Sequence, residues 1–276
     1  MPGGFPIGLE VCNGIGVGAN TSNAFAAELT AGSANIKSAW TQLIGSTSYD
    51  CCWVQPIVTY YGEVSAIAVD FGIGPSGSET PIISNFLVYN AGATLLSYGT
   101  AAFPLSIPAG TRISVRCQDS IGSDNGIWAA IELFDGAFTQ IDGMAGVDAI
   151  GYNSSTSRGT LVTAGSSSSS KGSYTQIASS TTRDYAGIML AMDCVGLSTP
   201  GISMLCDIAI GPSGSEQAII SNLNLWASES GAWTGAFPNV TPFIPIAIPA
   251  GTRIAIRTQA TTGSAQINFT LYGVYK

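Results

Sequence analysis

The chain has 276 residues, of which only 9% are charged, with a net charge of −8, 34 glycines and no histidine. Nine Lys and Arg against 17 Asp and Glu exclude a basic nucleic-acid surface, and the missing histidine excludes Ser-His-Asp and Cys-His catalysis and every histidine metal ligand. No apolar run reaches the ~18–20 residues of a membrane helix, and the dominant Ser, Thr, Gly, Val and Ile favour strands joined by tight turns.

Taken in order, the opening Met1-Pro-Gly-Gly-Phe-Pro6 lacks the basic and apolar segments of a signal peptide, so we expect synthesis in a cytoplasm. The glycine-rich stretches 12–20 and 143–153 are expected to add an edge strand or an extended arm. Alternating apolar and polar residues predict strands near 36–45, 51–60, 64–73, 81–90, 103–107, 111–118 and 127–134. In the stretch after Arg112, Ile113, Val115 and Cys117 alternate with Ser114, Arg116 and Gln118, giving one face to bury and one to wet. Such regular spacing suits an antiparallel sandwich or barrel.

The same pattern then recurs. Gly74-Pro-Ser-Gly-Ser-Glu79 returns as Gly211-Pro-Ser-Gly-Ser-Glu216, and Ile82-Ile-Ser-Asn85 as Ile219-Ile-Ser-Asn222. Ile107-Pro-Ala-Gly-Thr-Arg-Ile113 returns as Ile248-Pro-Ala-Gly-Thr-Arg-Ile254, where proline fixes φ and glycine supplies the positive φ of a tight reversal. Motif order and short gaps are kept throughout. The expected fold is all-β: two tandem homologous antiparallel β-sandwich domains, jelly-roll-like, from an internal duplication, with an immunoglobulin-like sandwich as the alternative. Residues 1–142 form the first domain, with a glycine-rich N-terminal arm, and 143–276 the second. Ser166–Ser170 reads as a flexible loop or linker.

Candidate chemistry is sparse. The recurring acids are Asp50 with Asp184, Asp70 with Asp207, and Glu79 with Glu216. They form either an Asp–Glu active pair in each domain or scaffold ion pairs with Arg112, Arg116, Arg253 and Arg257 on neighbouring strands. The scaffold reading is favoured, because a duplication copies scaffold. GPSGSE lacks the lysine and following helix of a phosphate loop. The segment Asp119–Gly126 lacks the acidic ladder of a calcium loop, and its counterpart 260–266 has no acid, so it reads as a hairpin loop. Cys12, Cys51, Cys52, Cys117, Cys194 and Cys206 do not recur and form no CxxC, and they read as reduced, buried thiols. No catalytic residue, cofactor or metal site is expected. Trp226, Trp233 and Tyr61 are the candidates for stacking on a sugar.

IPAGTRI-led strands, GPSGSE turns, tandem β domains and little charge together resemble the structural proteins of tailed bacteriophages. These are decoration, tail, baseplate and fibre components. The resemblance implies a non-enzymatic virion protein, made in the host cytoplasm, that acts as a homo-oligomer (a trimer or ring) against other virion proteins. The alternative is a carbohydrate-binding adhesin or receptor-binding protein of a phage tail that holds a host surface glycan. The family has no motif-defined site residues to carry over.

Overall fold

The structure is a computed structural model and describes residues 10–11, 26–60, 65–90, 101–122, 126–135, 143–193, 202–227 and 239–276. Every element among these residues is a strand, and no helix there is long and apolar enough to cross a membrane. The first half holds β1 (Glu10–Val11), β2 (Ala27–Leu29), β3 (Thr41–Ile44), β4 (Trp53–Tyr60), β5 (Ser65–Ile73), β6 (Thr80–Asn90), β7 (Ile113–Asp119) and β8 (Ile127–Asp135). The second holds β9 (Gly146–Ile150), β10 (Thr160–Thr163), β11 (Thr175–Ala178), β12 (Tyr185–Asp193), β13 (Ile202–Ile210), β14 (Gln217–Ala227), β15 (Asn239–Val240), β16 (Ile254–Ala260) and β17 (Gln266–Tyr275).

Each half is a sandwich of two sheets. One runs β3-β7-β5-β6 in the first half and β11-β16-β13-β14 in the second. In the other, β8 pairs β4 along one side and β1 and β2 along the other; β17 does the same with β12, β9 and β10. The stretch after β6 touches β4 at Phe103–Val54 and Ile107–Cys51, and β12 is met likewise at Ile244–Ile188 and Ile248–Tyr185. This strand order is that of a jelly roll. Between the sheets of the second half lie Ile188, Leu190, Ile208, Ile254, Ile256, Ile267, Phe269 and Leu271.

The two halves are continuous at the junction. β9 pairs β17 antiparallel and meets β6 in parallel at Ile83–Val147, so one nine-stranded sheet runs from β3 to β15. The 143–153 stretch is therefore an interior strand, not the expected edge or arm, because β6 covers the side that β17 leaves open. The 12–20 stretch lies outside the described residues. From the second half, Met189, Ala191, Tyr272 and Val274 pack into the hydrophobic cluster of the first.

Other expectations change in detail. The 36–45 strand shortens to 41–44, since 33–37 is a turn closed by Ile36 N–H to Ser33 O at 2.8 Å, with Asn35 at φ 60°. The 103–107 strand reduces to two isolated bridges, because Pro104 offers no N–H and the Ser106 N–H turns away to Met144 O. In β7 the polar face is not wet: Ser114 and Gln118 are buried, and Gln118 reaches Ser157 of the second half at 2.9 Å. The serine run is a loop, not a linker. It turns tightly beside Gly165, and Gln259 donates to Ser168 O at 2.7 Å.

Candidate functional site

The recurring charges meet on the outer side of each β3-type sheet. In the first half Asp70 accepts from Lys37 Nζ and Arg116 Nε, each at 2.8 Å, and from the Asn85 backbone N–H at 2.8 Å. Lys37 also donates to Ala68 O at 3.0 Å, and the Arg116 guanidinium lies 4.4 Å above the Trp40 ring. In the second half Asp207 accepts from Lys171, from Arg257 Nε at 2.9 Å and from the Asn222 N–H at 2.9 Å, with Arg257 over Tyr174 at 4.5 Å. The local reason is the bulge in β6 and β14: Asn85 and Asn222 take left-handed φ of 52° and 55°. Asparagine tolerates that region, and there it turns its N–H onto the carboxylate.

A second pair closes the GPSGSE turn. Arg112 Nη1 donates to Glu79 Oε1 at 2.8 Å and to Gly74 O at 3.1 Å, while its Nε donates to Gln42 at 2.9 Å. Arg253 does the same with Glu216 at 3.1 Å, Gly211 O at 2.9 Å and Gln176 at 2.9 Å. The other oxygen of Glu79 accepts the Gly77 N–H, and that of Glu216 the Gly214 N–H. Both turns join two strands, with Gly74, Gly77, Gly211 and Gly214 at positive φ.

These contacts settle the electrostatics. The Arg112 hydrogen bond holds the Glu79 carboxyl below its ordinary range, and the backbone N–H of Glu216, with Arg253, does so for Glu216. For Asp207 burial pushes upward, but Lys171, the Asn222 N–H and Arg257 outweigh it and the carboxyl is held low. Lys37 is lowered, since the cost of burying its charge exceeds the attraction of Asp70. Each carboxylate is thus enclosed by donors, and Asp70 and Asp207 side chains are only 4% and 2% exposed.

Asp50 and Asp184 have a different task. Their Oδ1 atoms accept the N–H of Ala109 and Ala250 at 2.7 Å, fastening the PAGT turns. Thr47 and Thr181 complete that latch. Each hydroxyl donates to the turn's Pro carbonyl and accepts the N–H of Thr111 or Thr252.

Sequence reading pairs the acids with arginines but misses the two lysines. Their signal is present: Lys37-Ser-Ala-Trp-Thr-Gln42 parallels Lys171-Gly-Ser-Tyr-Thr-Gln176 in lysine, aromatic and Thr-Gln. Tyr61, Trp233 and the side chain of Trp226 lie outside the described residues. Asp119 is buried and accepts the Ile121 and Gly122 N–H groups, which makes it a turn cap. No group of acids and cysteines among the described residues could hold a metal. Cys117 and Cys206 are buried free thiols and Cys51 is buried, and burial pushes the Cys117 thiol up to about 11, far from a reactive thiolate. Cys12 and Cys194 lie outside the described residues. A groove of about 870 Å³ runs along the junction between Trp53, Met144, Met189, Phe243, Pro245 and Lys276. Among the described residues no carboxylate side chain lines it.

No family model matches the chain, and no curated protein matches it. Among solved structures it is similar to one titled "Structure of PNGF-II in C2 space group", at 10% identity and a TM-score of 0.34. That likeness covers 89% of this chain, which spans 62% of the other. A likeness that loose bears on neither activity nor substrate.

Proposed function

We propose that this chain is a non-enzymatic structural component of a bacteriophage virion, a capsid decoration or tail-associated protein that works through interfaces between protein chains. The observation that carries the reading is the fate of the repeated charges. Asp70, Asp207, Glu79 and Glu216 are each held by cations and backbone N–H groups of their own half. A glycoside-cleaving pair needs two carboxyls facing each other across a groove, ~5–10 Å apart. Here the carboxylates stiffen turns and a bulge. With 9% charge, the remaining surface is rich in Ser, Thr, Gly and apolar residues, as suits a protein covered by neighbours after assembly.

Made in the host cytoplasm and incorporated into the particle, it would act by self-association and by contact with other virion proteins. Light scattering of the purified chain, with sedimentation alongside virions lacking it, tests this. A defined oligomer that joins the particles is expected. A monomer that ignores particles and binds particular glycans on an array overturns the reading in favour of the adhesin.

A further inference from the structure

Two strand edges have no partner strand among the described residues, and each is the counterpart of a strand that is paired within the chain. β6 and β14 end equivalent sheets, with matching register breaks opposite β5 and β13 and the same left-handed Asn. The outer edge of β6 is taken by β9, through Ile83–Val147, and by Tyr272, whose hydroxyl accepts the Leu87 N–H at 2.8 Å. Among the described residues β14 pairs only with β13. On the other side of the junction, β9 and β1 are equivalent: Val147 stands opposite Val274 of β17, and Val11 opposite Phe134 of β8. The second edge of β9 is taken by β6. That of β1 has no pairing strand among the described residues.

The side chains follow suit. β6 buries Ile82, Ile83 and Phe86, whereas Ile219, Ile220 and Leu223 at the same places in β14 stay partly exposed. Natural edge strands are guarded by lysine, proline or brevity. β14 has 11 residues, no charge and no proline. The face that receives β6 carries Met189, Ala191, Tyr272 and Val274. The corresponding outer face of β4 and β8 carries Ile57 and Phe134 in the places of Ala191 and Val274, and Gln55 and Glu132 in those of Met189 and Tyr272, with Trp128 beside them, all partly exposed.

From these edges we infer that β14 of one copy docks beside β1 and across the outer β4–β8 face of a second copy, repeating between chains the junction that β6 and β9 make within one. Ile220 then lies in parallel opposite Val11 of the second copy, as Ile83 lies opposite Val147. The occupant follows from continuity with the junction, where the same chain already covers the equivalent edge. The inference rests on the reading of the chain as an assembling structural protein. The contact is head to tail and leaves a fresh β14 on the second copy, so repetition gives a closed ring, or a filament where the rotation does not close.

Cross-linking tests it directly. Paired parallel strands lie ~4.8 Å apart, within disulfide reach. On a Cys12→Ser background, Val11→Cys and Ile220→Cys chains are oxidised separately and as a mixture. A second variant, Asn224→Pro, removes the N–H corresponding to that of Leu87, which points away from the β13 ladder, so the fold is kept while docking is blocked. The expected result is a disulfide-linked dimer from the mixture alone, and dissociation of the native oligomer by Asn224→Pro with the native circular dichroism and a cooperative thermal transition kept. An oligomer that survives Asn224→Pro and yields no mixed disulfide overturns this interface and leaves the structural-protein reading standing. A chain that is monomeric at every concentration and does not join particles overturns both.

Discussion

Leu87 in the first half donates its backbone N–H to the hydroxyl of Tyr272 in the second, 2.8 Å away and beyond the reach of solvent. The Tyr272 ring stacks on Phe86 at 6.0 Å and meets Phe103 edge-on at 5.7 Å. The halves are thereby fastened by a ring cluster that neither completes alone.

Two substitutions separate the polar from the apolar part of that fastening. Tyr272→Phe keeps the ring but strands the buried Leu87 N–H, at a cost of about 1–3 kcal/mol. Tyr272→Ala also removes the ring and opens a cavity, costing about 3–5 kcal/mol. Calorimetry is expected to give one transition for the native chain, lowered in that order by the two changes. Two separate native transitions, with only one moved by Tyr272→Ala, contradict the joint core.

The ionic cluster of the second half gives an asymmetric pair of variants. Asp207→Asn leaves Lys171 and Arg257 facing each other without their anion, and about 2–4 kcal/mol is lost, somewhat under a fully buried pair because Arg257 is 36% exposed. Arg257→Met leaves Lys171 on the carboxylate and costs about 1 kcal/mol. Because the folded Asp207 carboxyl is held below its unfolded value, its stabilisation is complete above about pH 4 and is lost as pH falls through the folded value. Glu79 and Glu216 act in the same direction. The melting temperature of the native chain should fall steeply below that pH, and that of Asp207→Asn less so.

The sandwich is legible in the sequence because its signals are local: alternation marks Ile113, Val115 and Cys117 as one face, and Pro108 with Gly110 fixes the turn before them. The recurring acids and arginines are legible too, but Lys37 and Lys171 require noticing a likeness spread over six residues with only lysine and Thr-Gln identical. The junction cannot be read this way. It depends on β6 meeting β9, a pairing with no periodic signature, and it breaks the repeat where it forms. Tyr272 stands where the first half has Glu132, and Met189 where it has Gln55. Burial of Gln118 has the same origin, since Ser154 and Ser157 of the second half cover it and override alternation within the strand.

The PAGT turns offer the sharpest test of a local device, because a buried threonine fastens each of them alongside Asp50 or Asp184. Thr47 and Thr181 are buried, and each hydroxyl serves a proline carbonyl and a backbone N–H across the turn. Thr181→Val keeps shape and volume while leaving both groups unpaired, so about 1–3 kcal/mol should be lost in denaturant unfolding. Thr47→Val should cost less, since the Thr111 hydroxyl also donates to Pro108 O, at 2.6 Å, and only the Thr111 N–H loses its partner. The two latches share no partner, so the double variant should lose the sum to within about 0.5 kcal/mol. Thr181→Ser keeps the hydroxyl and should recover most of the stability. If Thr181→Val cost little while Thr181→Ser was costly, the methyl group would be the stabilising element, and the latch would contribute little.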